Sequence, residues 1–479
     1  MNRLNKILIL IFIYNIFIFP QRNAAELKSG IDSLLTAPFF QSTQAAIEIY
    51  DLTAHHLLYK KNEKLLLTPA SNMKILTTAA ALFYLGHDYQ FQTSVCYTGN
   101  ILNKILYGDL YLIGGGDPLF NMQNLDSLIN EIDETGLKEI TGNIYADVSW
   151  KDSLIWGDGW MWDDDPSTDA PYLSALNIND NSIEVFVSPT KTGEKANIYL
   201  DPQTGYVNVI NNTVTTPFSG SNKYKITRDW IDKENTIIVE GPVRNRTIID
   251  SEKVWKGVNI FNPAMYFTTL FYESLIESGI KVSGIPGEKT APEYVYQLSR
   301  YQNTIDSVIV NVNKTSDNLG AEMILYALAE KYFGKPATAQ NGCKIINCLI
   351  DTLGLKSDNY RIADGSGVSR YNLISAELLI EVLKYLFESK PEIFQKFYNS
   401  LPVAGVDGTL KDRMQNTLCQ NNVHAKTGTM SGVSSLSGYI TSKNYHTLAF
   451  SIIFQNYVGD SSEARNFQDI ICEMLAGFQ

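Results

Sequence analysis

The chain has little of the residues that build metal sites and disulfide frameworks. Its 479 residues include five cysteines and five histidines. The cysteine count is odd, and no cysteine pair has metal-ligand spacing with histidine partners, so the sequence favours buried free thiols. Cys343 and Cys348 fall five apart on a predicted helix and should face different sides of it. We therefore expect no metal and no other cofactor.

Positive charge is also scarce. Lysine and arginine total 39 against 51 acidic residues, which gives a net charge of −12. Nucleic acids and anionic lipids bind proteins largely through clustered cations. The charge balance therefore argues against nucleic acid as a partner.

The N-terminus carries an apolar run that is short for a membrane span. Ile7–Phe19 follows the basic residues Arg3 and Lys6 and precedes the small pair Ala24-Ala25. A span needs about 20 apolar residues, so this pattern predicts a signal peptide over residues 1–25. An uncleaved anchor is the alternative interpretation. The signal peptide predicts an exported, periplasmic protein that is soluble or loosely associated with the membrane.

Two common catalytic or binding motifs are missing. No G-x-S-x-G elbow surrounds Ser71, which argues against a Ser-His-Asp triad. The triple glycine 114–116 lacks the G-x-G-x-x-G pattern and is followed by Pro118, which predicts a turn leading into a helix rather than a phosphate site.

Three short motifs are present in a fixed order, and together they describe one site. Ser71 and Lys74 stand three apart where an apolar helix begins, and that helix is predicted to end at Gly86. Residues i and i+3 share a helix face, so Lys74 should lie over Ser71. A serine hydroxyl needs a neighbouring base to become a nucleophile. Lys74 can serve as that base if burial or a second cation lowers its pKa.

The other two motifs lie far downstream. Ser316-Asp317-Asn318 opens an apolar helical run, and Lys426-Thr427-Gly428-Thr429 precedes a strand-like segment. Lys426 is the predicted second cation of the site, and a glycine at 428 would let a substrate backbone approach closely. The lysine and the threonines suit a substrate carboxylate.

Each motif taken alone is weak. The first and last patterns recur in Ser188-Pro189-Thr190-Lys191 and Lys191-Thr192-Gly193, and the middle one recurs at Ser357-Asp358-Asn359 and Ser442-Lys443-Asn444. The segment after Ser188 predicts a turn because Pro189 and a polar run follow. The order and structural context of the three motifs, rather than any single match, indicate function.

The ordered set resembles the S-x-x-K, S-x-N and K-T-G motifs of penicillin-binding proteins and serine β-lactamases. Five further segments resemble peptidase family S13, the class C low-molecular-mass penicillin-binding proteins with D-Ala-D-Ala carboxypeptidase and endopeptidase activity. These segments are residues 114–118, 159–164, 174–176, 364–370 and 401–410. The resemblance runs from about residue 40 to the C-terminus. Lys74 and Ser316 are 242 positions apart, as expected of the large insertion in this family.

The resemblance implies a role for each motif residue. Ser71 would be the acylated nucleophile and Lys74 its base, while Ser316 relays a proton to the leaving group. Asn318 would bind the substrate amide, and Lys426 would support Ser316 and the substrate carboxylate. The remaining assignments are carboxylate binding by Thr427, Gly428 and Thr429, and an oxyanion hole formed by the backbone N–H groups of Ser71 and Thr429.

The resemblance also implies an α/β fold. Its core would be a transpeptidase domain of the penicillin-binding-protein and β-lactamase type, an antiparallel sheet flanked by helices, with a large α/β insertion that carries a small β-rich module. From the sequence pattern we expect the catalytic domain at residues 26–89 and 258–479, the inserted α/β domain at 90–183 and 241–257, and the nested β-rich domain at 184–240.

The implied activity is a serine-type D-Ala-D-Ala carboxypeptidase, a DD-endopeptidase, or both, acting on peptidoglycan stem peptides and acylated by β-lactam antibiotics. A β-lactamase or esterase on the same site is the alternative, and a non-catalytic wall-binding protein is a third. The sequence leaves the balance of the two peptidase activities open, as it does the third residue of the stem peptide and the oligomeric state.

The segment around the second resemblance motif has two further features. Asp163-Asp164-Asp165 fits no calcium-binding loop and predicts a solvated acidic turn. Four tryptophans crowd the same stretch, which predicts either packing of a long loop onto the catalytic domain or a surface for glycan or substrate. They are Trp150, Trp156, Trp160 and Trp162.

Overall fold

The N-terminal segment supplies two strands of a five-stranded sheet. The structure is a computed structural model that describes residues 23–245 and 254–479. Its first elements are α1 (Ala24–Leu34), β1 (Gln44–Asp51), β2 (His56–Lys61) and α2 (Met73–Ala80). Strands β1 and β2 form an antiparallel hairpin. The predicted signal peptide lies outside the described residues except for its last three positions. Within the described ranges, no helix combines the length and apolarity that a membrane span requires.

The chain then enters the inserted α/β part. Its first elements are β3 (Gln90–Tyr97), β4 (Asn100–Leu102), β5 (Ile105–Tyr107), β6 (Leu110–Gly114), α3 (Met122–Glu134), β7 (Glu139–Ile140) and β8 (Ile144–Asp147). Helix α3 follows the glycine-rich turn, as predicted, and Asn121 caps its N-terminus through its side chain.

The nested β-rich module follows. Its strands are β9 (Ser182–Ser188), β10 (Asn197–Asp201), β11 (Asn208–Thr216), β12 (Lys225–Arg228), β13 (Thr236–Arg244) and β14 (Val254–Asn259). They form two three-stranded sheets, β10-β9-β14 and β11-β13-β12. Because β14 pairs with β9, the module extends past residue 240, and residues 241–257 lie partly in its strands rather than in the α/β part as predicted.

The α/β insertion resumes after the module, which differs from the expected return to the catalytic domain at residue 258. The elements are α4 (Pro263–Glu277), β15 (Lys281–Val282), β16 (Pro286–Glu288) and β17 (Tyr296–Thr304). Strand β17 pairs with β3, β16 with β8, and β15 with β7. The insertion therefore ends at Thr304, where β17 closes a five-stranded sheet of order β16-β8-β6-β3-β17.

The remaining elements complete the catalytic domain. They are α5 (Ile305–Lys314), α6 (Asn318–Phe333), α7 (Ala339–Thr352), α8 (Ala376–Glu388), α9 (Pro391–Ser400), β18 (His424–Met430), β19 (Val433–Thr441), β20 (Thr447–Gln455) and α10 (Ser462–Ala476). The five-stranded catalytic sheet has the order β18-β19-β20-β1-β2, and all its pairings are antiparallel. Helices α2, α5, α6 and α8 share one apolar core on one face, and α1 and α10 contribute to another core on the opposite face. The predicted fold class is confirmed.

The long loop between β8 and β9 packs onto the catalytic domain. Trp150, Trp160 and Leu173 are buried in the same core as α2 and α6. This supports the packing interpretation for part of the tryptophan cluster. Trp162 differs, because it is 72% exposed.

The acidic turn of this loop corrects another prediction. Asp165 is buried rather than solvated, and its Oδ1 accepts a hydrogen bond from Arg228 Nη2 at 2.5 Å. Cys343 is buried and Cys348 exposed on α7, as the spacing predicted, and all five cysteines are free thiols.

Candidate active site

Ser71 lies in a tight turn that leads into α2. Ala70 has a φ of +48°, a backbone conformation that non-glycine residues rarely adopt, and a 3₁₀ turn then runs from Ala70 to Asn72. The turn is tied to β19, because Ser435 Oγ donates to the Pro69 carbonyl at 2.6 Å and Asn72 Nδ2 donates to Ser437 Oγ at 2.8 Å. Such strain clusters at functional sites, where surrounding contacts hold it in place.

Gly428 on β18 approaches this turn closely. A Cβ at this position would lie 2.8 Å from the Pro69 carbonyl oxygen and 3.0 Å from the backbone nitrogen of Ser71. A larger residue would therefore separate the strand from Ser71. The close approach at Gly428 is to the chain's own backbone, and the predicted approach of a substrate backbone stays a prediction.

Lys74 is fully buried and contacts Ser71. Its Nζ lies 3.0 Å from Ser71 Oγ and also donates to Asn318 Oδ1 at 2.5 Å and to the Ser366 carbonyl at 2.7 Å. Burial lowers the pKa of Lys74 to about 8, against the opposing effect of four carboxylates, Asp364, Asp317, Glu322 and Asp169. Of the two causes anticipated from the sequence, desolvation is the one that acts on this lysine.

A loop held by two buried carboxylates supplies the carbonyl of Ser366, which accepts a hydrogen bond from Lys74. Glu322 Oε1 accepts hydrogen bonds from the backbone N–H groups of Gly365 and Ser366 at 3.0 and 2.8 Å. Asp364 accepts from Gly367 N at 2.8 Å and from Trp160 Nε1 at 2.9 Å. These bonds fix the Ser366 carbonyl that receives Lys74. Burial and the nearby Asp364 raise the pKa of Glu322 to about 8.

The second hydroxyl of the site belongs to Ser316. Its φ of +68° places it in a strained turn immediately before α6. Lys426 Nζ donates to Ser316 Oγ at 2.9 Å and to the Thr427 carbonyl at 3.0 Å. Lys426 is fully buried, and both burial and the charge of Lys74 hold its pKa well below the usual range.

The long loop of the insertion also reaches the site. Asn318 Nδ2 donates to the backbone carbonyl of Asp169 at 2.6 Å, while its Oδ1 accepts from Lys74. Asn318 is thus oriented by a lysine on one side and by the insertion on the other. The part played by Asp169 has no sequence signal, since any residue supplies a carbonyl.

These groups lie along an open cleft of about 530 Å³. Ser71, Ser316, Asn318, Thr427 and Thr429 line it, as predicted. It is also lined by residues that the sequence did not single out, Thr409, Arg413, Arg465 and Ser431 among them. Thr427 Oγ1 donates to Thr409 Oγ1 at 2.7 Å. The lookalike motifs at residues 188–193, 357–359 and 442–444 contribute nothing to the lining.

The cleft and the predicted motif residues thus form one site, and a family model covers the chain that carries them. The model for the D-Ala-D-Ala carboxypeptidase 3 (S13) family matches residues 27–477. The chain belongs to this family. The resemblance identified from the motifs is confirmed, and so is the class of enzyme, a serine-type D-Ala-D-Ala carboxypeptidase of the penicillin-binding group.

Curated relatives of the S13 family match over most of their length. A D-alanyl-D-alanine carboxypeptidase of an Actinomadura species is 32% identical over 95% of this chain and 85% of its own. A D-alanyl-D-alanine carboxypeptidase of Haemophilus influenzae is 26% identical over 90% of this chain and 93% of its own.

The fold agrees with a solved structure of the same group. Penicillin-binding protein 4 of Haemophilus influenzae superposes with a TM-score of 0.82 at 24% identity, covering 93% of this chain and 99% of that one. A second structure of that protein, in complex with a β-lactam, matches with a TM-score of 0.75 at 23% identity, covering 92% of this chain and 97% of that one.

The described residues hold no cluster of three or more histidine, cysteine or acidic side chains arranged for a metal ion.

Proposed function

We propose that the protein hydrolyses the D-Ala-D-Xaa bond of peptidoglycan stem peptides through an acyl-enzyme on Ser71. The observation that carries the proposal is the pairing of two hydroxyls with two buried lysines in one cleft: Ser71 with Lys74, and Ser316 with Lys426. Acyl transfer needs a nucleophile, a base to activate it and a proton donor for the leaving group.

Lys74 would activate Ser71. A neutral amine at 3.0 Å can take the hydroxyl proton as Oγ attacks the substrate carbonyl. The lowered pKa of Lys74 supports this role, because a substantial share of the amine is unprotonated near pH 8. Asn318, held by Lys74 and by the Asp169 carbonyl, would bind the amide of the acyl part of the substrate.

Ser316 and Lys426 would serve the leaving group. Ser316 Oγ can pass a proton to the departing amine and be replenished by Lys426, with which it shares a hydrogen bond of 2.9 Å. The oxyanion would be stabilised by the backbone N–H groups of Ser71 and Thr429. Water then attacks the acyl-enzyme and releases the shortened peptide.

The cleft suits a carboxylate. It is lined by Thr409, Thr427 and Thr429 and by two arginines, Arg413 and Arg465, of which Arg413 is already paired with Asp469. Charge-assisted hydrogen bonds of this kind bind carboxylates well. The terminal carboxylate of D-Ala would bind here, and so would the carboxylate of a penicillin, which acylates the same serine. Endopeptidase action needs a larger leaving group that bears the same carboxylate, and we propose it as the second activity.

The test is intact mass and peptide mapping after incubation with a penicillin, with D-Ala release from a stem pentapeptide measured in parallel. We expect one adduct, located on Ser71, together with D-Ala release. Ser71→Ala should abolish both. Ser188→Ala is the matched control, since it alters the lookalike serine and should change neither.

Three results would contradict the proposal. Rapid hydrolysis of the drug with no lasting adduct would favour the β-lactamase alternative. Absence of both adduct and D-Ala release in the folded wild type would favour a non-catalytic wall-binding protein. An adduct on a residue other than Ser71 would exclude the assigned nucleophile.

We also propose that the chain is exported. The support is the basic, apolar and small-residue pattern of residues 1–25. N-terminal sequencing of protein recovered from the periplasm should find a chain that starts near residue 26. Protein found in the cytoplasm with its N-terminus intact would refute export.

A further inference from the structure

Two tryptophans from different parts of the chain meet at the surface of the insertion. Trp162 belongs to the long loop after β8, and Trp230 follows β12 of the nested module. Their ring centroids are 4.9 Å apart and the ring planes are inclined by 35°. Trp162 is 72% exposed, so the pair presents an aromatic face to solvent. We call these two residues the tryptophan pair.

A buried ion pair holds the tryptophan pair in place. Arg228, two residues before Trp230, donates to Asp165, three residues after Trp162, and the arginine side chain is fully buried. Tyr172 donates to the other carboxylate oxygen of Asp165 at 2.7 Å, and Asn259 accepts from Arg228 at 3.1 Å. A buried ion pair needs additional hydrogen bonds of this kind to offset part of its desolvation penalty. The buried ion pair thus fixes the position of the exposed Trp162 ring and of the partly exposed Trp230 ring.

The tryptophan pair adjoins the catalytic cleft. Asp164, two residues after Trp162, lines the cleft, as do Ser167 and Asp169 of the same loop. The Asp169 carbonyl holds Asn318. One short segment therefore bears the exposed ring at one end and a contact of the active site at the other.

The chemistry around the tryptophan pair favours an uncharged sugar polymer. One face of a pyranose ring is lined with C–H bonds, which pack against the electron-rich face of an aromatic ring. Asp163 and Asp232 are exposed beside the two tryptophans in sequence and can accept hydrogen bonds from hydroxyl and amide groups. The same carboxylates, with the net charge of −12, repel polyanions.

We propose that the tryptophan pair binds N-acetylhexosamine rings of the glycan strand to which the stem peptide is attached. The inference rests on the proposed function, since a stem peptide in the cleft brings its glycan to the cleft margin. The nested module would then act as one half of a glycan platform, and its residue Trp230 would favour glycan-linked substrates over free peptides.

The direct test is calorimetric titration of the full-length enzyme with a neutral tetramer of N-acetylglucosamine. We expect binding to the wild type and a loss of about fivefold or more in affinity for Trp162→Ala and for Trp230→Ala, as removal of an aromatic contact implies. Trp162→Phe keeps a ring and should retain part of the affinity. Tyr445→Ala is the matched control, because this tyrosine is 87% exposed in the turn between β19 and β20.

A second measurement separates the platform from the catalytic site. The tryptophan variants should raise KM for a disaccharide-linked muropeptide while leaving KM for the sugar-free peptide and the rate of penicillin acylation unchanged. Equal effects on both substrates, or no tetramer binding by the wild type, would overturn the inference. Tetramer binding without any peptide hydrolysis would instead refute the proposed function and leave the platform standing.

Discussion

At the scale of single residues, each of two buried lysines contacts one serine hydroxyl of the site. Lys74 contacts Ser71, and Lys426 contacts Ser316. Burial lowers the pKa of each, and the charge of Lys74 lowers that of Lys426 further. Repulsion between the two lysines disfavours the state in which both are protonated, which supports the proposal that a lysine accepts the proton in place of a histidine.

The pH dependence of acylation follows from Lys74. Because Lys74 can accept the Ser71 proton only when unprotonated, the rate of penicillin acylation should rise with pH and level off above about 8, the pKa to which burial lowers this lysine. Stopped-flow acylation rates across the pH range would test this. A rate that is flat or falls between pH 6 and 8 would exclude Lys74 as the base.

A charge variant sharpens the same prediction. The carboxylate of Asp169 raises the pKa of Lys74, while its backbone carbonyl holds Asn318. Asp169→Asn should therefore move the midpoint of the profile to lower pH and keep the carbonyl contact. Asp163→Asn, on the same loop but outside the cleft lining, is the control and should leave the midpoint unchanged.

The residues that the sequence revealed are those whose chemistry is tied to a local pattern. The spacing of Ser71 and Lys74 on a helix face predicted their contact, which the structure contains. Glu322 and Asp364 could not be found this way, because Glu322 accepts from a backbone N–H 44 residues away and Asp364 accepts from Trp160 Nε1 204 residues away. The burial of Asp165 was likewise hidden, since its partner Arg228 comes from another module.

At the scale of elements, the loop that contains Gly367 packs directly against the turn that bears Ser71. Gly367 has a φ of +87°, and a Cβ there would lie 1.9 Å from the carbonyl oxygen of Ala70. Backbone atoms cannot move aside as a flexible side chain can. The position of the nucleophile therefore depends on a glycine almost 300 residues away.

Gly367→Ala should lower the rate of penicillin acylation at least tenfold, because the new methyl group displaces the Ala70–Ser71 backbone. Gly86→Ala is a matched control: its φ of +82° imposes a similar strain of about 1 kcal/mol, but the Cβ would meet nothing within 4 Å. Acylation rates normalised to the folded fraction from thermal melts would compare the two. Equal rates would refute the coupling.

Element type was predictable here, but element membership was less so. The β1–β2 hairpin and the α2 region that ends at Gly86 follow from local apolar periodicity and a glycine stop. Helix α4 was assigned to the wrong domain because an apolar helix carries no mark of the core it joins. Its buried residues Phe267 and Phe271 pack in the core of the insertion. Only the strand pairings of β15 to β17 reveal where the insertion ends.

At the scale of the whole molecule, the chain enters and leaves the nested module through one antiparallel strand pair, β9 with β14. Val187 of β9 is the register partner of Val254 of β14, so the chain leaves and returns at adjacent points. The predicted site residues all lie outside residues 188–253. The module's described residues contribute Arg228 and Trp230, and none of them lines the cleft that Ser71 and Ser316 share.

Replacing residues 188–253 by an Asn-Gly turn should therefore leave penicillin acylation nearly unchanged and abolish binding of the N-acetylglucosamine tetramer. Asn-Gly suits a two-residue hairpin, and Asp165→Asn in the same variant avoids a buried carboxylate without its Arg228 partner. Acylation rate and calorimetry would be measured on one preparation. Loss of acylation in a variant that still melts cooperatively would mean that the module supports the catalytic centre.

Because β1 pairs with β20, the five-stranded sheet cannot be completed until nearly the whole chain has been synthesised. Ile47 and Ile452 are register partners, so a strand near the start of the chain can pair only after a strand near its end has been made. Contacts of such long sequence separation form late in folding. Lys426 and its strand β18 join the same sheet. A half-synthesised chain thus has its serine but lacks a finished centre, and we expect β-lactams to label only chains whose synthesis is complete.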